Sequence, residues 1–244
     1  MFVSRGVSDT IPIGGIVREK LLCVIYGEGA SLFKNIFNAL RISYEGAPTI
    51  IGVFLLSFLV AFTVPSYVWI SMGLLAFVIF TFRNPDRNDI NLEDAIYSPA
   101  DGRVVDIKEG EWNISGSSKY TRIGIYLSLF NVHVQRIPYS GEIIGISYNK
   151  GKKYPAFRKK ASMYNESNMV ILNTKKGILA TKQIAGMITR RIICKLKIKQ
   201  FKQTGSQLGV IIFGSRVELY IPCQEEVKVK IGDKVKAGIT LISK

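Results

Sequence analysis

From Gly46 to Phe82 the chain carries no charged residue, and most of its positions are Ile, Val, Leu, Phe, Ala, Trp or Met. An uninterrupted run of this kind is a bilayer pattern. Pro65, followed by Ser66, divides it, because proline removes a backbone donor and clashes with the preceding helical turn. The two pieces, Thr49–Val64 and Tyr67–Phe82, are each about 16 residues, or about 24 Å of helix, against a hydrocarbon core of about 30 Å. Two tilted or bilayer-thinning spans and a re-entrant helical hairpin both satisfy this length. Lys34 and Arg41 precede the run, Arg83 and Arg87 follow it, and the Pro65 turn has no basic residue. The asymmetry predicts a hairpin with both ends on the cytoplasmic side.

Upstream, Leu32, Phe33, Ile36, Phe37 and Leu40 recur at helical spacing, with Lys34, Asn35 and Asn38 turned away. Such a helix can lie on a membrane surface or pack on the core. Lys and Arg number 33 against 18 Asp and Glu, a formal charge of +15, which favours a polyanionic partner, nucleic acid or anionic lipid. The apolar run decides for lipid. Cys23, Cys194 and Cys223 are odd in number and lack metal-ligand spacing, so neither a disulfide framework nor a metal site is expected. The first residues lack an early apolar run with a small-residue cleavage site, so no secretory signal is read there.

After Arg87 the composition changes. A Pro/Asp/Asn-rich connector, Asn84 to Asp89, leads into short β-rich runs: Gly102–Ile107, Thr121–Leu127, Asn131–Ile137, Glu142–Tyr148, Met169–Asn173, Gly177–Gln183, Ile192–Lys199, Val210–Ile221, Val227–Val229 and Ile239–Ile242. They predict a mainly β fold, an antiparallel β-sandwich or a barrel-like β domain. The turn-rich ending Val227 to Gly238 resembles lipoyl and biotinyl carrier domains and makes the sandwich hammerhead-like. The organisation expected is an N-terminal segment over 1–48, an apolar helical hairpin over 49–82 and a catalytic β domain over 83–244.

Three polar residues stand out. Strand alternation puts Ser215 on the side of Phe213, Val217, Leu219 and Ile221, so its hydroxyl faces inward, where an unpaired hydroxyl costs about 1–3 kcal/mol. Gly214 before it marks a bulge or a close approach to the backbone. Taken alone, a bulge with a satisfied serine explains the pair. His133 is the single histidine and shares a face with Asn131 and Gln135, which by itself reads as an ordinary surface histidine. Asp101, in Ser98-Pro-Ala-Asp-Gly102, reads first as turn chemistry.

These signals coincide with a resemblance. Arg83-Asn-Pro-Asp-Arg87, Ser98-Pro-Ala-Asp-Gly-Arg-Val104, Asn131-Val-His-Val-Gln-Arg-Ile-Pro138 with Ser140-Gly-Glu142, Gln183-Ile-Ala-Gly186 with Arg190-Arg-Ile192, and Phe213-Gly-Ser-Arg-Val217 resemble the phosphatidylserine decarboxylases in order and spacing. The small prokaryotic proenzymes are the closest in type, and the likeness runs from about Glu45 to the C-terminus. It implies that Asp101, His133 and Ser215 form a triad that cuts the chain between Gly214 and Ser215. The products would be a β chain 1–214 and an α chain 215–244 whose Ser215 becomes a covalent pyruvoyl group, the only cofactor. The ketone would form a Schiff base with phosphatidylserine and delocalise the carbanion left by carbon dioxide, with His133 as candidate proton donor. The implied partners are phosphatidylserine and anionic membrane lipid at the cytoplasmic face of the cell membrane. The two chains would stay associated, and the oligomeric state, a homo-oligomer included, stays open.

Leu129, Asn131, Gln135, Ser167 and Gln207 depart from the family's usual residues, though none is a triad member. Three other readings explain less. A Ser-His-Asp lipid hydrolase lacks its Gly-x-Ser-x-Gly elbow. A carrier domain lacks a Met-Lys-Met-like tip. A nucleic-acid-binding protein leaves Thr49–Phe82 without a purpose.

Overall fold

The computed structural model describes residues 33–87, 94–113, 117–152, 154, 161–186, 192–211 and 215–244, so Leu32, Gly214 and the Arg190-Arg191 pair lie outside the described residues. The chain divides into two compact units, 1–40 and 41–244. In the first, residues 33–39 form helix α1, with Phe33, Ile36 and Leu40 exposed.

The second unit begins with the hairpin. Helix α2 (Ala47–Thr63) has proline in its first turn and stops before Pro65, and α3 (Val68–Thr81) returns after a short 3-10 turn. Residues 44–63 form one continuous helical run long and apolar enough to cross a membrane. Phe54, Leu55, Phe58, Leu59, Phe62, Trp69 and Ile70 are exposed, so the pair is apolar all round rather than striped, as lipid-facing helices are. Hydroxyls here are returned to the backbone: Ser57 donates to Ser71 O, Thr63 to Leu59 O, Ser71 to Val68 O and Thr81 to Phe77 O. At its base the hairpin joins the rest of the unit. Val78 and Phe82 are buried against Val132, Val134 and Val210, and the Phe82 carbonyl accepts from Ser43 N at 2.7 Å.

The remainder is β: β1 (Ile96–Tyr97), β2 (Gly102–Asn113), β3 (Ser117–Leu127), β4 (Val134–Arg136), β5 (Gly141–Asn149), β6 (Ser167–Thr174), β7 (Gly177–Ile184), β8 (Ile192–Ile193), β9 (Phe201–Lys202), β10 (Gln207–Ile211), β11 (Ser215–Pro222), β12 (Lys234–Val235) and β13 (Leu241–Ser243). One short helix, α4 (Ala161–Tyr164), interrupts them. An eight-stranded sheet runs β12-β2-β3-β11-β7-β6-β5-β9, beside a three-stranded sheet β4-β10-β8 and the pair β1-β13. These pairings are antiparallel, and the three sheets enclose one core of Ile96, Ile123, Ile125, Ile211, Leu219 and Ile242 among others. The mainly β, antiparallel architecture with a preceding apolar helix is the one the sequence predicts.

Three runs differ. The strand expected over Ile192–Lys199 ends at Ile193, where its pairing with β10 ends. Val227–Val229 forms only a single bridge, Val227 to Ser243. The run Val210–Ile221 is two strands, because the chain leaves the three-stranded sheet at Ile211 and joins the eight-stranded one at Ser215. Hydrophobic alternation continues through both strands and so hides the change of sheet.

The side of β11 away from the core is polar and equally buried. Arg216 and Glu218 are 2 % and 0 % exposed. Arg216 is ion-paired with Asp106 of β2 and with Glu218 at 3.0 Å, and Glu218 also accepts from Ser162 at 2.7 Å and Tyr220 at 2.9 Å. Gly124 of β3 makes room for this cluster: a Cβ there would lie 2.5 Å from Arg216 Nη2 and 2.7 Å from Asp106 Oδ1. Gly124→Ala should therefore cost about 1–3 kcal/mol through overpacking, read as a lower Tm than that of the parent protein in the same detergent. An unchanged Tm would show that the cluster gives way freely.

Candidate active site around Ser215

Ser215 opens β11, a strand flanked by β3 and β7, with its Cα opposite Leu127. Alternation turns it inward, and it is fully buried; among the described residues its Oγ has no hydrogen-bond partner. This departs from the satisfied serine that the Gly-Ser pair alone suggests. A desolvated hydroxyl left unpaired costs free energy, so a purpose is required of it.

His133 immediately precedes β4. Its carbonyl accepts from Ile211 N at 3.2 Å and from Gln135 Nε2 at 2.7 Å, which ties it to the end of the strand that leads, four residues later, to Ser215. The polar face shared with Gln135 is not a surface: both residues are 0 % exposed. Gln135 is held by Gln183 Nε2 at 2.8 Å, and Gln183 accepts from Asn168 at 3.0 Å. Burial, and behind it the charge of Arg83, pushes the His133 imidazole down to about 4, opposed by hydrogen bonds to the backbone of Asn131 and Thr81 and by the charge of Asp101. The ring is therefore neutral near pH 7 and able to accept a proton. Thr81 is the last residue of α3, so the hairpin itself contributes to the setting of this histidine.

Asp101 is buried in the turn before β2. Arg87 donates to both its oxygens, Nη1 to Oδ1 at 2.5 Å and Nη2 to Oδ2 at 2.8 Å, and Ala237 N donates to Oδ1 at 2.8 Å. Arg87 Nη1 also reaches Ala237 O at 2.6 Å, so the pair clamps one peptide of the C-terminal segment. Gly102 lets this turn approach β3: a Cβ would fall 2.2 Å from Tyr126 O. Asp101 thus lies within electrostatic range of His133 while its oxygens serve Arg87 and Ala237. The roles of Arg87 and Ala237 were not legible in the sequence, since neither spacing nor alternation links a connector arginine to a residue near the C-terminus.

A cleft of about 270 Å³ lined by Lys108, Glu109, Glu111, Tyr120, Arg122 and Tyr220 opens elsewhere. Tyr120, Arg122 and Tyr220 alternate with the core residues of β3 and β11, so it lies on the side of the sheet away from Ser215.

The family described as phosphatidylserine decarboxylase matches residues 74–243, which include all of the elements just described from the end of the hairpin to β13. The chain belongs to the phosphatidylserine decarboxylase family. It is 40 % identical over 201 residues to the phosphatidylserine decarboxylase proenzyme of Syntrophus aciditrophicus (strain SB), covering 81 % of this chain and 94 % of that one. The proenzyme of Rickettsia akari (strain Hartford) is 40 % identical over 204 residues, 82 % of this chain and 88 % of the relative. That of Wolbachia pipientis wMel is 41 % identical over 169 residues, 67 % and 74 % of the two chains. Members of the phosphatidylserine decarboxylase family are carboxy-lyases of phospholipid metabolism, and that activity is this chain's.

Proposed function

We propose that this decarboxylase makes its own prosthetic group by cutting itself between Gly214 and Ser215, and that it works at the cytoplasmic face of the membrane on phosphatidylserine, with phosphatidylethanolamine and carbon dioxide as products. The observation that carries the reading is the orphan Ser215 hydroxyl, fully buried at the first residue of an inner strand. A neutral histidine sits beside the strand that leads to it.

His133 takes the Ser215 hydroxyl proton, and Oγ attacks the Gly214 carbonyl; the new ester bond forms as the Gly214–Ser215 amide bond breaks and its nitrogen leaves as a free amine. Loss of the Ser215 α-proton then breaks Cβ–Oγ and releases Gly214 as a carboxylate. The resulting dehydroalanine tautomerises, and water displaces ammonia to leave a ketone on residue 215. Asp101 favours the protonated His133 electrostatically and fixes the C-terminal segment through Arg87 and Ala237. The pyruvoyl ketone, once formed, would supply a sink for the electron pair that carbon dioxide leaves behind on the substrate.

The cut leaves the short chain in place. Residues 215–244 remain paired through β11 to β3 and β7, through β12 to β2 and through β13 to β1. The apolar hairpin and the +15 charge hold the enzyme against anionic lipid.

Intact mass on freshly expressed protein tests the proposal. Two chains split after Gly214, the shorter lacking a free amine, are expected; one uncut chain in active protein would sink it. A second expectation concerns pH. His133 is lowered from 6.5 to about 4, so the base form survives on acidification, and the acid limb of self-cleavage should centre well below 6.5, toward 4. The sign for stability is opposite in use: the unfolded chain binds a proton at a higher pH, so the stability carried by the neutral ring is present above about 6.5 and falls as pH drops toward 4. Single-turnover cleavage of refolded precursor across pH 4–8 checks the first, and denaturant unfolding of the uncut Ser215→Ala chain over the same range checks the second; an acid limb centred at 6.5 would show a solvated histidine.

A further inference from the structure

We infer that Arg83 is the binding residue for the phosphate diester of the lipid substrate; this rests on the reading of Ser215 as the reactive centre. Three arginines, Arg83, Arg87 and Arg136, feel the charge of Asp101 or pair with it. Arg87 is buried and places three N–H donors on Asp101 and Ala237 O. Arg136 is half-buried and places three N–H donors on the oxygens of Gly205, Asn84 and Pro85. Arg83 stands differently. It donates to Phe80 O at 2.9 Å and Phe130 O at 2.7 Å, lies 3.9 Å over the Phe80 ring, and has no ion pair among the described residues. Those two bonds leave three of its five N–H donors for another acceptor.

Its position selects the acceptor. Arg83 follows α3 by two residues, and Phe80 and Phe130 beside it are 45 % and 68 % exposed, so the guanidinium stands where the apolar hairpin gives way to polar chain, the depth of lipid headgroups. It is also close enough to His133 for its charge to be felt there, and the bond to Phe130 O ties it to the loop that carries His133. In the substrate only a two-carbon serine unit separates the phosphate from the reacting amine. The headgroup offers two anions, phosphate and carboxylate. A cation on the carboxylate would stabilise the charge that decarboxylation must disperse, and so would stabilise the ground state more than the transition state. A fixed cation at the rim therefore suits the phosphate, which stays charged throughout, and guanidinium matches its geometry.

The test uses full-length enzyme, processed and then reduced with borohydride so that it binds without turnover. Calorimetry compares a short-chain phosphatidylserine with a serine O-alkyl ether that lacks phosphate. Arg83→Gln is expected to weaken the phospholipid about tenfold or more, the loss of a charge-assisted contact. The ether should change less than twofold. Arg83→Lys, which keeps the charge without the fork, is expected to fall between, and carries the measurement if the glutamine variant fails to fold. In steady state on the unreduced enzyme the loss should appear in KM more than in kcat. Equal affinity of variant and parent for the phospholipid, or equal losses on both ligands, would overturn the assignment. Intact mass before reduction separates the two readings: an uncut chain removes the Ser215 mechanism, whereas cut chains with unaltered phospholipid binding remove only the role of Arg83.

Discussion

Ser215→Ala is expected to yield a single uncut chain with decarboxylation at background, the largest functional loss any one substitution here should cause. The variant removes the attacking oxygen, and with it the ester whose elimination would open the way to the ketone, so neither a slower cut nor a partly active enzyme is predicted. The fold should survive, because the lost hydroxyl has no hydrogen bond among the described residues and alanine fills nearly the same buried space. By the same reasoning the variant should be at least as stable as natural precursor trapped before cutting, since an unsatisfied buried polar group is removed. Mass spectrometry, a decarboxylation assay with lipid in mixed micelles and a melting curve report the three properties together. Residual activity in an uncut Ser215→Ala chain would mean that the ketone is not the catalyst.

Asp101→Ala is expected to have the largest effect on stability. It strands Arg87, 7 % exposed, without its bidentate partner, and removes the acceptor of Ala237 N. Breaking a buried pair in this way costs about 3–5 kcal/mol. The proper reference is Ser215→Ala, which is also one uncut chain, and against it Tm should fall by roughly 6–20 °C. The variant should also fail to cut. Pairing it with Arg87→Met separates the causes, because the double variant buries no lone charge. Recovered stability without recovered cutting would assign Asp101 a part in the proton transfer; recovery of both would make it a clamp for the C-terminal segment and nothing more.

Much of the scaffold could be read from composition and period. The break at Pro65, the strands around β2, β3, β5, β6 and β7, and the inward side of Ser215 all follow from local rules, because burial on one face imposes a period of two and an unbroken apolar run imposes helices. What local rules missed are properties of contact between distant segments. His133 and Gln135 look like an outer face in a short strand, yet the layer formed with Gln183 and Asn168 buries them. Arg216 and Glu218 likewise alternate with the core but face Asp106 and Ser162 rather than water. The change of sheet between Ile211 and Ser215 has no sequence mark except Gly214, and glycine is consistent with bulges, turns and close contacts alike. The Arg87–Asp101–Ala237 clamp joins residues that no periodicity relates.

The placement of residues 215–244 in the fold has a consequence for the life of the mature enzyme. Before the cut, every strand belongs to one chain, and folding is a first-order process that needs no encounter. After the proposed cut, β11, which lies between β3 and β7, would come from a separate short polypeptide, so a denatured molecule could be rebuilt only by a concentration-dependent collision of two pieces. The short piece, once released, would expose apolar strand edges, which favour aggregation over re-insertion. The mature form should therefore persist by the height of its unfolding barrier rather than by reversible equilibrium, and its thermal transition should depend on scan rate where that of the uncut chain does not. On the proposed mechanism, self-cleavage would make the catalyst once, and in the same act it would make folding a one-way event.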